Sequence, residues 1–359
     1  MKNLFELHGT RKLSIVIINH HASAPDVGGG GRHYELAKSL AEQGHRVTVI
    51  ASSYASRRQF YYIPEKVVTK NFNGNLTFIR LATKPAYGNI LFRFLNYYDF
   101  QRKVSKYTSF EEAPDVIIAS SVHPLAWVSG YKLSKRYNAK FIVEVRDLWP
   151  LSMHEDLSGL VRKGVFLFFE ALEKKYYQLA DAIVTTAPYA YEYMEEKYGT
   201  DREKVFHIPH GLDLKAYDQN AHQSDGILDE GLRSVLDNFF CITYTGALSA
   251  SEGLPTLVEA TRYLRDLKEL KIVIVGSGSE KGVLEELIIK EKLDNVAMVE
   301  RQPRSHVPLI LKNSDILFCG LRERKVFKYG ISKNKFYDYM AAGKPIVFAS
   351  NVRDSLIDK

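Results

Sequence analysis

Two cysteines in 359 residues leave no room for a disulfide framework. Cys241 and Cys319 each lie inside an apolar, strand-like run, where buried free thiols are expected. No Cys/His cluster has metal-ligand spacing, and no bound metal or cofactor is expected. The opening MKNLFELHGTRKL lacks an apolar stretch of signal-peptide length. Apolar runs such as SIVII and VFLFF fall far short of the ~20 residues a spanning helix needs. A cytoplasmic protein is expected, with any membrane contact peripheral and at the inner face of the plasma membrane. Charge of one sign is not scarce, but its imbalance is small: 49 Lys+Arg against 42 Asp+Glu, a formal net charge of +7. That excess is spread along the chain, which argues against nucleic acid and suits nucleotide diphosphates or an anionic bilayer. With 45% apolar and 25% charged residues the composition is globular, and the length allows two domains.

What is present is a repeated alternation. Leu13–Ile18 reads as a buried parallel strand, and GRHYELAKSLAEQGH as a helix closed by Gly44. Strands RVTVIAS and LTFIRLA, a long aromatic helix, strand DVIIAS, helix LAWVSGYKLSKRY, strand KFIVEV, another helix and strand AIVTT follow. A second series starts near Cys241: strand CITYTG, helix GLPTLVEATRYLRDL, strand KIVIVG, helix EKGVLEELIIKEK, strand NVAMVE, helix HVPLILKNS, strand DILFC, helix NKFYDYMAAG and strand PIVFAS. Strand–helix alternation predicts parallel sheets covered on both faces, with ligands at the carboxyl ends of the strands. The expected architecture is α/β: two doubly wound, Rossmann-like domains facing across a cleft, over 1–205 and 218–359, with a hinge at 206–217. The segment Asp218–Gly231 is polar and rich in turn formers, and reads as linker.

Candidate site residues collect at the ends of these strands. Gly28–Gly31 follow the first strand and precede a helix, so backbone there can approach a ligand closely. Gly29, Gly30, Gly31 and Arg32 are therefore candidates for a lip over the cleft. They lack the spaced G-x-G-x-x-G fingerprint, and no acidic residue ends the second strand, which speaks against a dehydrogenase. His123, in SSVHP, ends a strand, as do Glu144, Arg146 and Asp147 in FIVEVRDLWP; the three charged groups either point into a crevice or pair with one another. In Lys325–Ala349 a basic loop runs into an amphipathic helix closed by Gly343. Lys328, Lys333 and Lys335 surround the helix start, where charge and helix dipole add, which suits a diphosphate. Asp338, one turn on, is placed to hydrogen-bond a ribose.

DYMAAGKP resembles the stretch of glycosyltransferase family 4 in which an acidic residue precedes a Met-Ala-x-Gly turn, then Pro and a strand. The order of the other motifs is similar too: VGGGGRHYELAKSLAEQGHRVTVI, SSVHP, EVRDLWP, IPHGLD, YTGALSASEGL and VGSGSEK. The resemblance runs from about Leu13 to Ala349 and looks like a branch that assembles bacterial surface polysaccharides. It implies a GT-B fold and a retaining, metal-independent glycosyltransferase. Such an enzyme would move a hexose or N-acetylhexosamine from a nucleotide-diphosphate sugar to a glycan or polyprenyl-diphosphate-linked acceptor. By the same resemblance Asp338 would meet the ribose, Lys335 the phosphates, Gly246 and Gly276 the nucleotide, and His123 the transferred sugar. Arg301, Lys328, Gly330, Ser332 and Asn334 complete the expected donor site.

The chain departs from the family at several points. Where the family carries two glutamates with seven residues between them, this sequence has Gly330 and Asp338. Backbone amides of Gly330–Ser332, or Glu323, are the alternatives for holding the sugar. The usual Arg and Lys after the first C-terminal strand are Ala247 and Glu252, which shifts phosphate neutralisation to Lys335, Lys328, Arg301 or Arg304. After Pro345–Ser350 the chain stops at Lys359, short of a full GT-B domain, and a truncated C-terminal end is expected. Two other functions fit the same residues: a sugar-nucleotide epimerase, and an inactive partner subunit that keeps the fold. Tyr87–Tyr107 and Leu160–Tyr177 mix aromatic and basic residues, so each either packs on the sheet or lies on an anionic bilayer.

Overall fold

The computed structural model describes residues 11–27, 31–55, 60–61, 67–86, 90–153, 159–222 and 228–353. The chain divides into two compact units, Met1–Pro209 and His210–Lys359.

In the first unit the strands are β1 (Ser14–Ile18), β2 (Arg46–Ser52), β3 (Tyr54–Ala55), β4 (Phe60–Tyr61), β5 (Val67–Asn71), β6 (Leu76–Leu81), β7 (Val116–Ser120), β8 (Lys140–Val145), β9 (Ala182–Thr185) and β10 (Val205–His207). Eight of them form one sheet in the order β10-β9-β8-β7-β1-β2-β6-β5. All neighbours run parallel except the edge strand β5, which pairs antiparallel with β6. Strand β1 is buried along its whole length, as an apolar run without alternation requires of a strand covered on both faces. Helices α1 (Arg32–Glu42), α2 (Ile90–Lys106), α3 (Leu125–Tyr137), α4 (Gly159–Leu179) and α5 (Ala190–Tyr198) cover the sheet. Gly31 caps α1 at φ +147°, a conformation that side chains with a Cβ rarely adopt. One core packs Ile15, Ile17, Val47, Val49, Leu76 and Phe78 beneath α1; another packs Val16, Ile18, Ile50 and Ile117 beneath α2 and α3.

The second unit holds β11 (Phe240–Ala247), β12 (Leu270–Ser277), β13 (Val296–Val299), β14 (Ile316–Gly320) and β15 (Ile346–Ala349), all parallel, in the order β13-β12-β11-β14-β15. Its helices are α6 (Leu214–Ala221), α7 (Glu230–Asn238), α8 (Leu254–Ala260), α9 (Lys281–Lys290), α10 (Val307–Lys312) and α11 (Asn334–Ala342). Both sheets are doubly wound and Rossmann-like.

Two local expectations change. The polar segment taken as linker carries the ends of two helices, α6 and α7, of which α7 buries Leu232 and Leu236. Asp213 and Asp229 cap them by accepting backbone N–H bonds from Ala216, and from Gly231 and Leu232. The single long helix expected over GLPTLVEATRYLRDL is α8 followed by a tighter turn at Thr261–Leu264. There the Thr261 hydroxyl donates to the Val258 carbonyl at 2.6 Å, a local bond that competes with the regular helical pattern.

Candidate active site

In the first unit the strand order reverses at β1, whose neighbours are β2 on one side and β7 on the other, so the crevice of a doubly wound sheet opens beyond the ends of β1 and β7. Asn19, just past β1, donates to Ser120 Oγ at the end of β7 at 3.0 Å. Ser120 Oγ lies 2.8 Å from His33 Nε2, and the same nitrogen lies 2.9 Å from Glu144 Oε2. Arg32 Nε donates to Glu144 Oε1 at 2.7 Å. The rest of the Arg32 guanidinium donates to the carbonyls of Ile208, at 2.8 Å, and Pro209. Glu144 therefore pairs with Arg32 and His33 and not with Arg146 or Asp147. Burial alone would raise its pKa, but His33 and Arg32 hold the carboxyl well below the usual carboxylate range. Burial depresses His33 in spite of Glu144, so the imidazole is neutral at pH 7.

His123 is fully buried. Its Nε2 lies 3.1 Å from His20 Nδ1, and its ring stacks on Tyr97 with centroids 4.0 Å apart. Burial pushes both histidines well below their ordinary pKa, so the pair is neutral and shares one hydrogen bond. His123 Nδ1 and His20 Nε2 are buried with no hydrogen-bond partner. Arg146 is partly buried, its N–H donating to Ser121 Oγ at 3.0 Å, while Asp147 is exposed. Gly31 and Arg32 sit at the start of α1, and Gly29 and Gly30 lie outside the described residues.

In the second unit the order reverses at β11, between β12 and β14. Backbones crowd at this point. A Cβ on Gly276 would stand 1.9 Å from the Gly246 carbonyl oxygen, and one on Gly278 2.1 Å from that of Leu248. Close chain approach therefore demands both glycines, whatever ligand they also meet. The loop after β11 carries Glu252, and its carboxylate accepts from Lys333 Nζ at Oε1 and Lys335 Nζ at Oε2, both at 2.6 Å. Tyr244 donates to the Ala247 carbonyl at 2.7 Å and reaches Glu252 Oε2 at 3.2 Å. Lys335 Nζ lies 4.0 Å from the centre of the Tyr244 ring.

Asp338 is buried on α11, and Arg304 donates to both its oxygens, at 2.6 and 2.7 Å. A ribose would share a carboxylate already engaged. Each oxygen keeps a further lone pair for that purpose. Ser332 Oγ accepts from the His210 N–H at 3.1 Å; Asn334 and Arg301 are exposed; Lys328 Nζ lies 4.6 Å from the centre of the Tyr329 ring. Gly330 has φ +78° and ψ 179°, a region essentially confined to glycine. A glutamate at this position would carry the strain of that backbone conformation. The pairings of His20, Glu252 and Arg304 were not legible along the chain. For Glu252 a signal existed: an acid standing where the family has a lysine, matched by two lysines near the start of α11.

Phe94 of α2 stacks on Phe169 of α4 with centroids 5.9 Å apart, so the two helices touch at this pair. Leu91, Phe92, Leu95 and Tyr98 of α2 and Leu167 and Phe168 of α4 are exposed. Arg93, Arg102, Lys106 and Lys163 are exposed on the same helices. Among the described residues no helix is long and apolar enough to cross a membrane, and no group of three or more His, Cys, Asp or Glu could hold a metal ion. Cys241 and Cys319 are free and buried, and burial raises both thiols to about 11.

Known proteins share this fold. A putative colanic acid biosynthesis glycosyl transferase, WcaI of Escherichia coli (strain K12), is 26% identical over 331 residues, spanning 85% of this chain and 75% of that protein. The solved sucrose-phosphate synthase of Thermosynechococcus elongatus superposes with a TM-score of 0.65 at 17% identity, over 94% of this chain and 81% of the other. HepE of Anabaena, solved in complex with UDP and glucose, gives 0.60 at 15% identity, over 94% and 80%. At such identities the likeness speaks to the fold, which is that of the GT-B glycosyltransferases. The model described as Glycosyl transferases group 1 matches residues 234–353, and that described as Glycosyltransferase Family 4 matches residues 27–216. The second of these spans more than half of the chain, and the protein belongs to glycosyltransferase family 4.

Proposed function

We propose that this glycosyltransferase retains anomeric configuration and moves a hexose or N-acetylhexosamine from a nucleotide-diphosphate sugar to a glycan or polyprenyl-diphosphate-linked acceptor in surface-polysaccharide synthesis. The observation that carries the reading is the convergence of Lys333 and Lys335 at the point where β11 parts from β14, beside the start of α11. The relative named for colanic acid synthesis and the neighbour holding UDP and glucose support the acceptor and donor classes.

In this scheme the leaving diphosphate departs toward the two lysines and the amides at the start of α11, which stabilise the charge as it develops. The acceptor hydroxyl approaches on the face the diphosphate leaves. His123 would offer its unpartnered Nδ1 to a sugar hydroxyl, its ring held by Tyr97 and His20. Asp338 would share its carboxylate between Arg304 and the ribose. No metal takes part in the scheme, so transfer should survive EDTA.

The test is a screen of UDP-, GDP- and dTDP-sugars for thermal stabilisation, followed by product analysis. Saturation at ~100 times the dissociation constant adds ~2.7 kcal/mol. Lys335→Ala should lower transfer by about 10²-fold or more, as losing one preorganised charge donor does. A converted nucleotide sugar formed without acceptor would indicate an epimerase instead. An inactive partner subunit is favoured by one observation, the closure of both lysines on Glu252; absence of stabilisation by every nucleotide would support it.

For the acceptor side, the exposed apolar and basic residues of α2 and α4 fit an anionic bilayer. Co-sedimentation with anionic liposomes should be strong at low salt, weaker at high salt, and lost in Phe92→Ser/Phe168→Ser. Absence of binding at either salt concentration removes the membrane contact.

A further inference from the structure

Glu252 is an acid in a place that the proposed donor chemistry would fill with an anion. It stands in a short turn, Ala250–Glu252, followed by Gly253 at φ +62°, and it is 8% exposed. Its two oxygens take the ammonium groups of Lys333 and Lys335, whose side chains are 19% and 13% exposed. The Lys335 ammonium is seated against the backbone: a Cβ on Gly246 would stand 3.0 Å from Nζ. A Cβ on Gly320, in turn, would stand 2.6 Å from the Glu252 carbonyl oxygen, so the turn itself is wedged against the end of β14. The backbone of the turn is thus wedged, so release of the lysines would take rotation of the Glu252 side chain.

The charges are unequal. Two ammonium groups share one carboxylate, which leaves one positive charge in a largely enclosed place. A second negative charge is the natural complement, and a diphosphate brings at least two. Burial by itself would raise the Glu252 carboxyl, yet Lys335 and Lys333 hold it below its ordinary range, so it is ionised in competition with any incoming anion.

We infer that Glu252 is an internal counter-anion: it holds Lys333 and Lys335 in place, and a diphosphate binds by displacing its carboxylate from them. This rests on the reading that those lysines receive the donor diphosphate. Its consequence is selectivity. A monoanion cannot outbid a tethered carboxylate, whereas a polyanion can, so Glu252 lowers affinity overall and screens out singly charged ligands.

The experiment titrates wild type and Glu252→Gln with inorganic pyrophosphate, then with UDP, GDP and dTDP, by calorimetry and thermal shift. Glutamine keeps the size and a hydrogen-bonding oxygen but removes the charge. Pyrophosphate should bind Glu252→Gln at least tenfold more tightly than wild type and restore stability that the substitution removes. Equal or weaker pyrophosphate binding by Glu252→Gln overturns the inference. Tighter pyrophosphate binding with no nucleotide bound by either protein upholds it and sinks the donor assignment. If Glu252→Gln fails to fold, Glu252→Asp keeps the charge but is one methylene shorter and loosens the carboxylate's hold on Lys333 and Lys335; a twofold or greater gain in pyrophosphate affinity supports the exchange, and no gain overturns it.

Discussion

Each unit grips one carboxylate with two basic side chains where its sheet reverses order, yet the two arrangements differ in kind. In the first unit Glu144 meets Arg32 and a neutral His33, so charge balances within the cluster. The remaining guanidinium donors of Arg32 hold the carbonyls of Ile208 and Pro209. In the second unit Glu252 meets two lysines, and one positive charge is left over. A guanidinium is planar and binds in fixed directions, which suits permanent structure; an ammonium is a point charge on a flexible stem, which suits exchange of partners. On the donor reading proposed above, the comparison separates a network that holds the fold from one that exchanges partners with a ligand.

The sharpest way to break this comparison is Arg32→Ala. It strands a buried carboxylate and should cost about 3–5 kcal/mol in denaturant unfolding. Nucleotide affinity should change little. A variant of unchanged stability but altered nucleotide binding would reverse the roles assigned to the two networks.

Glu173 of α4 offers a third carboxylate, held by neutral groups: Tyr177 donates to one oxygen at 2.8 Å, and Tyr193 and Tyr198 to the other, both at 2.8 Å. Burial dominates over these donors and raises the carboxyl to about 7. A raised folded-state pKa means that its contribution is full below the unfolded value of about 4.5 and is lost as pH rises through about 7. Wild type should lose roughly 2–3 kcal/mol across that window relative to Glu173→Gln, read from unfolding at pH 5 and pH 8. Parallel pH dependence in the two proteins would show that three phenols suffice to stabilise the charge. Glu144 works in the opposite sense: its depressed pKa supplies stability above the unfolded value that is lost as pH falls.

The smallest effect concerns Gly330. Gly330→Ala should cost about 1–3 kcal/mol through its backbone conformation alone. Gly330→Glu should be no better, and should not raise transfer. A gain in transfer would mean that the family's carboxylate can be accommodated after all.

The sequence by itself determined the elements whose signal is local. Unbroken apolar runs such as Ser14–Ile18 became strands buried on both faces, and the period of Leu125–Tyr137 and of Lys281–Lys290 became helices, because burial periodicity is written residue by residue. Order of motifs along the chain was enough to indicate the family. Weaker elements were not legible: the edge strand Val67–Asn71 has no apolar alternation, and helix Glu230–Asn238 begins inside a segment dominated by turn formers. The partners in the site were decided only by the tertiary structure. His20 and His123 are separated by 103 residues, Glu144 and Arg32 by 112, and Glu252 and Lys335 by 83. Sheet register brings such residues together, and charge and burial then act through distances of about three ångströms that no spacing along the chain records.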